Sequence, residues 1–171
     1  IPPVFRFGLR LGVMTDGVER TVDLSIGERE CAFVIPAESP DYVRVDPGFR
    51  VLARMRIEAP QSWLIRALEE DACPIVRIRA AQSLAKRAGA TEVEALVAAA
   101  TDKDWRIRTS VAGLLGNLAG EASRKTLLTG LEKEAHPRVR LAMVKALGKM
   151  RHPEVEACLG AIAEGDVSLF A

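Results

Sequence analysis

Histidine and cysteine are the side chains best suited to holding a metal or attacking a carbonyl, and here they are few and scattered. His136 and His152 each stand directly before a proline, at expected helix starts. Neither lies in an HExxH pattern; His152-Pro153-Glu154 shares only its outline. Zinc needs three or four converging ligands, so both histidines are read as exposed turn residues. Cys31, Cys73 and Cys158 are far apart and odd in number. With no CxxC spacing, they argue against both a zinc site and a disulfide framework. They are expected to be buried small hydrophobes. No GxSxG, GxGxxG or GxxxxGK[ST] run appears among the 171 residues, and spacing yields no Ser/His/Asp or Cys/His set. Glu69-Glu70-Asp71 reads as a solvated helix end. No catalytic, cofactor-binding or metal-ligating residue is assigned, and the chain is expected not to be an enzyme.

What recurs instead is a carboxylate six residues before an arginine. Asp71 precedes Arg77, Asp102 precedes Arg108, and Glu134 precedes Arg140. A branched apolar residue (Val76, Ile107, Val139) stands just before each arginine. A Leu-small pair follows at Leu84-Ala85, Leu115-Gly116 and Leu147-Gly148. The copies are 31 or 32 residues apart, and each is followed by a second apolar run, such as Val93, Leu96 and Val97. A fixed period built of two helices is the pattern of an α-solenoid, here of the HEAT type. Each helix pair has an apolar stripe too wide to hide alone, so neighbours must stack. Pro74 and Pro137 mark helix starts, where a missing N–H costs nothing, and Trp105 holds that place in the middle copy. Gly89 and Gly120 are expected as left-handed caps, with His152 in the third copy. The acid can accept backbone N–H groups at a helix start. The guanidinium can reach that acid or the acid of the next copy. The six residues are therefore expected to form a structural ladder.

Each copy also holds an Arg-x-Arg pair. Beyond the ladder this leaves Arg79, Arg106 and Arg138; Arg106 and Arg138 align and Arg79 is offset. Stacked, they could make a basic ridge for an acidic peptide or a nucleic-acid backbone. Interleaved acids and scarce aromatics weigh against such a ridge.

Before Pro60 the hydrophobic period is two. Phe5, Phe7, Leu9, Leu11 and Val13 alternate with Arg6, Gly8, Arg10 and Gly12, the pattern of a half-buried strand. Asp16-Gly17 is a hairpin turn signal. Val18 to Ile26 reads as a second strand, Cys31 to Ile35 as a third, Tyr42 to Val45 as a fourth and Val51 to Ile57 as a fifth. Asp46-Pro47-Gly48 breaks the fourth. An antiparallel meander this small needs something packed on its apolar face. Residues 1–59 are thus expected to be an incomplete β-sandwich-like module and residues 60–171 a HEAT-like repeat domain. The fold class is α+β in two parts: a small antiparallel sheet, then an α-α superhelix.

Lys plus Arg number 24 and Asp plus Glu 23, for a net charge of +1, so global charge gives no pull toward nucleic acid or an anionic membrane. No signal peptide or bilayer-length apolar run is seen. The sequence does not fix where the protein resides; a cytoplasmic setting is slightly favoured. The chain opens Ile1-Pro2-Pro3-Val4 and enters a strand pattern at once. It is therefore expected to be a piece of a longer polypeptide, which a native species of 18.6 kDa would refute.

The runs Pro3 to Leu11, Phe33 to Pro36 and Pro40 to Leu52 resemble the C-terminal β-sandwich of M1-family zinc aminopeptidases. In that family a strand of the form v-x-v-D-P-x-x-x-v-L closes the sandwich and leads into a helical superhelix. Val43, Val45, Asp46, Pro47, Val51 and Leu52 match it. The resemblance implies a non-catalytic accessory region that caps or shapes a peptide-substrate chamber. Its partner would be an upstream catalytic domain of the same polypeptide, where any zinc would sit. HExxH, the further Glu ligand and the GxMEN-type loop are absent here, so no catalytic residue carries over. The alternative is a HEAT-repeat scaffold holding a peptide or protein ligand on its concave face. A nucleic-acid-binding module is more remote.

Overall fold

The structure, a computed structural model, describes residues 6–52, 55 and 57–165. The chain divides into two units, Ile1–Arg66 and Ala67–Ala171. The division falls a little beyond the change of hydrophobic period at Pro60.

In the first unit, strands β1 (Phe7–Thr15) and β2 (Val18–Ile26) form a hairpin in register from Phe7 opposite Ile26 to Thr15 opposite Val18. Asp16 and Gly17 both have positive φ, 49° and 76°. This is the backbone a two-residue hairpin turn needs to match the strand twist. Strand β3 (Tyr42–Val45) lies antiparallel on the other edge of β1, giving the order β2-β1-β3. Val13, Met14 and Tyr42 are buried where the three strands overlap.

Gly12 explains a charged bridge across this sheet. A side chain there would occupy the place of the Glu19 carboxylate. With none, Glu19 of β2 passes over β1 and meets Arg44 of β3 at 2.8 Å. Asp46 ends β3 in a left-handed conformation, φ 51°. Its buried carboxylate accepts the N–H groups of Arg50 and Val51, each at 2.9 Å.

The expected five-strand meander and sandwich are corrected. The described residues of this unit form one three-stranded sheet. Cys31 to Ile35 is not a strand: Phe33 and Val34 remain exposed, and Pro36 and Pro40 flank the stretch. Proline cannot donate to a ladder, and β3 already holds the second edge of β1. Val51, Leu52, Met55 and Ile57 have no regular structure; Phe5, Ala53, Arg54 and Arg56 lie outside the described residues.

The helices are α1 (Gln61–Glu70), α2 (Pro74–Arg87), α3 (Ala90–Ala99), α4 (Trp105–Leu118), α5 (Glu121–Lys133), α6 (Pro137–Leu147) and α7 (Pro153–Gly165). Within the second unit α4 packs between α2 and α6, and α3 and α5 lie against them as a second layer. Leu84, Leu96, Ile107, Leu115, Leu127, Val139, Met143 and Leu147 fill the interface and are 2% exposed or less. Burying each such side chain contributes about 1.5–3 kcal/mol. Gly116 sets the α4–α6 approach: a Cβ there would stand 2.6 Å from that of Ala146.

The helix caps differ from expectation. The left-handed residues are Ala88 and Ala119, with φ of 53° and 52°. Gly89 and Gly120 are extended and begin α3 and α5. The helices close one residue earlier because the N–H groups of Ala88 and Ala119 return to Leu84 and Leu115. In the third copy His152 caps α7, its Nδ1 accepting the Glu154 N–H at 3.3 Å. No helix among the described residues is long and apolar enough to cross a membrane.

Candidate functional site

The three turns that lead into α2, α4 and α6 are built alike. A carboxylate accepts the N–H two residues further on: Asp71 from Cys73 at 2.7 Å, Asp102 from Asp104 at 2.8 Å, Glu134 from His136 at 2.9 Å. This satisfies an orphan donor at the helix entrance. The following arginine then reaches forward. Arg77 makes a two-pronged ion pair with Asp102 of the next copy. Arg108 does the same with Glu134, at 2.7 and 2.9 Å. Each arginine also donates to a main-chain carbonyl: Arg77 to Leu68 at 2.6 Å, Arg108 to Asp102 at 2.8 Å, Arg140 to Leu131 at 2.9 Å. Hydrogen bonding to Arg108 holds the Glu134 carboxyl below its ordinary pKa and raises that of Arg108. The Arg77–Asp102 and Arg108–Glu134 pairs thus tie copy to copy, while Asp71 and Arg140 bond the main chain of the turns at the two ends.

The three arginines expected as a ridge have three different surroundings. Arg106 folds back on Asp104, with Nη2 to Oδ2 at 2.7 Å. This hydrogen bond lowers the Asp104 carboxyl to about 2. Arg138 lies over the Trp105 ring, 5.4 Å from its centroid. Arg79 is half-buried on α2. Trp105 stacks on His136, with ring centroids 4.6 Å apart and planes 9° from parallel. His136 is therefore a half-buried packing partner, not the exposed turn residue its sequence context suggests. Of the cysteines, Cys31 is exposed and Cys73 and Cys158 are half-buried, all as free thiols. Local spacing cannot foresee the Trp105–His136 stack or the place of Arg138, because both depend on the neighbouring copy.

Residues that the spacing of arginines does not single out lie at the opposite ends of α2, α4 and α6. Lys86 and Asn117 line one groove of about 390 Å³, together with Gln82 and Leu114. Lys149 Nζ donates to Asn117 Oδ1 at 2.8 Å. The exposed sides of α4 and α6 are thereby joined at both ends, and that of α2 meets α4 at this groove. The signal that could have found them is the complete lack of acids on these three helices. A larger groove, about 670 Å³, lies between α3 and α5, with Asp102, Arg108 and Glu134 in its lining. Among the described residues no three His, Cys, Asp or Glu side chains gather as a metal site.

Residues 61–135 match the family model of HEAT repeats. Human deoxyhypusine hydroxylase, solved in complex with glycerol, is similar in structure, with a TM-score of 0.58 and 28% identity. The match covers 66% of this chain and 40% of that one, so the chain spans well under half of that enzyme. No curated protein sequence matches the chain. These findings overturn the M1 aminopeptidase resemblance: the likeness is to HEAT repeats and to a HEAT-repeat hydroxylase, and the Asp46-Pro47 loop ends a lone sheet. The chain is a small antiparallel sheet followed by HEAT-type helical repeats, a helical-repeat scaffold.

Proposed function

We propose that this chain is a non-catalytic interaction scaffold that holds a protein partner on the exposed side of α2, α4 and α6. One observation carries the reading. The exposed residues of these helices run from copy to copy: α2 and α4 share the groove at Lys86 and Asn117, and α4 and α6 are joined by the Lys149–Asn117 hydrogen bond at one end and the Trp105–His136 stack at the other. The ladder behind it fixes the spacing of the helices, so the surface is preorganised and a partner need not order it. The carboxylates of Asp71, Asp102 and Glu134 are occupied as caps and ion-pair acceptors, which leaves them unsuited to general acid or base work. The reading requires no cofactor. The hydroxylase activity of the similar human enzyme is not carried over to a chain spanning two fifths of its length.

A photo-cross-linking residue placed at Gln82 or Asn117, and separately at Glu94 or Thr129 on α3 and α5, tests this. All four positions are exposed. In extract of the source cell, discrete adducts are expected from Gln82 and Asn117 alone. Adducts only from Glu94 and Thr129, or from neither side, would sink the scaffold reading.

A further inference from the structure

Charge is sorted between the two helix layers of the second unit. Helices α2, α4 and α6 hold four, two and three Lys or Arg residues and no Asp or Glu. Helices α3, α5 and α7 hold seven Glu and three Lys or Arg. The near-zero net charge of the chain conceals this sorting. Solvated helix faces ordinarily mix signs through i,i+4 pairs.

Four exposed cations on or just past these helices lack a counter-charge, whereas Arg106 is paired with Asp104. Among the described residues Lys86 and Lys145 have no ion pair, Lys149 bonds only the neutral Asn117, and Arg138 faces only the Trp105 ring. The helix dipole favours lysines at helix ends, and so would account for Lys86 and Lys145. It disfavours cations in a first turn, where Arg106 and Arg138 stand. Helix stability therefore accounts for Lys86 and Lys145 and the Asp104 cap for Arg106, but neither accounts for Arg138 or Lys149. Between the two ends, Ser110 of α4 and Ala142 of α6 occupy equivalent positions in successive copies, and a side chain added at Gly113 of α4 would meet nothing within 4 Å. Ile75, 48% exposed, adds an apolar spot at the rim.

Resting on the scaffold reading, we infer that this layer binds an acidic peptide segment of its partner, laid across α2, α4 and α6. Packed helices are about 8–10 Å apart. An extended peptide turns the side chains of alternate residues to one face, about 6.5–7 Å apart. Its carboxylates can therefore meet Lys86 of α2 and Lys145 and Lys149 at α6, with the neutral Asn117 of α4 between them, while an apolar side chain covers Ile75. A nucleic acid fits less well: Trp105 is already stacked on His136, leaving no free platform for bases. The glutamates of the other layer also cancel long-range attraction for a polyanion, and the remaining field acts within a Debye length of about 8 Å.

Fluorescence anisotropy on the full chain tests the inference. The probes are a labelled oligo-glutamate peptide bearing one leucine, its oligo-glutamine counterpart, and an oligo-dT of equal charge. The glutamate peptide is expected to bind and the glutamine peptide not to. Binding should fall at least tenfold in the K86E/K145E/K149E variant, whose melting curve is checked by circular dichroism. Charge reversal off the face (K103E/K133E) should leave binding within about twofold. Filling the trough with Gly113→Leu, which changes no charge, should weaken it. Equal binding of glutamate and glutamine peptides, or no effect of the triple reversal, overturns the inference. Tighter binding of oligo-dT at the same salt overturns it in favour of nucleic acid. If the peptide fails while cross-links at Gln82 and Asn117 persist, the acidic ligand is wrong and the scaffold stands. If the cross-links fail as well, both are wrong.

Discussion

Arg108 of one helical repeat and Glu134 of the next share two hydrogen bonds, Nε to Oε2 at 2.7 Å and Nη2 to Oε1 at 2.9 Å. The same carboxylate accepts the His136 N–H, and the same guanidinium donates to the Asp102 carbonyl. One contact thus joins two turns and two repeats. Replacing Arg108 by Met leaves a mostly buried carboxylate without its partner. The expected cost is about 2–4 kcal/mol, read from urea unfolding. A second change, Glu134→Leu, should recover part of that loss, because the orphaned charge is then gone.

The same pairing sets a pH dependence. Arg108 lowers the folded pKa of Glu134, and Arg106 lowers that of Asp104 to about 2. A carboxyl group with a depressed folded pKa contributes stability that is complete above its unfolded value, about 4, and is lost as pH falls through the folded value. The melting temperature should therefore be nearly flat from pH 7 to about 5 and fall between about 4 and 2. Arg108→Met should flatten that acid limb. An unchanged limb would show that the Glu134 pairing contributes nothing to it.

Two alanines occupy backbone better suited to glycine. Ala88 and Ala119 close α2 and α4 with φ of 53° and 52°, a conformation in which a Cβ costs about 1–2 kcal/mol. Ala88→Gly and Ala119→Gly should each stabilise by about 0.5–1 kcal/mol, after the entropy that glycine loses on folding. Differential scanning calorimetry should find Tm raised by a few degrees in each. A lower Tm would contradict the left-handed caps.

Two glycines of α4 should respond in opposite directions. Gly116→Ala drives a methyl group to 2.6 Å from Ala146 Cβ and 2.8 Å from its Cα, an overpacking that costs about 1–3 kcal/mol. Gly113→Ala meets nothing within 4 Å and removes a helix penalty of about 0.8–1 kcal/mol. Paired thermal melts check the sign. Equal shifts for both would mean that α4 and α6 do not approach at Gly116.

Much of the repeat architecture was legible because its determinants are local. The six-residue offset of acid and arginine places both on one turn, and proline at Pro74, Pro137 and Pro153 marks helix starts. The apolar stripe recurs at helical spacing. The Asp16-Gly17 hairpin is equally local. The strands beyond it were not, since pairing in a sheet joins residues distant in sequence. Tyr42–Val45 returned to the free edge of β1, and Cys31 to Ile35 forms no strand.

The sequence by itself determined the period of the repeats, their helix starts, the identity of the ladder residues, and the absence of acids from α2, α4 and α6. Only stacking of the helices settled that Arg77 and Arg108 reach forward to the next repeat, that Trp105 meets His136, and that Lys86, Asn117 and Lys149 lie on one side. The physical reason is range: capping and helix period act over a few residues along the chain, whereas the partner of a long cationic side chain depends on which helix is stacked beside it.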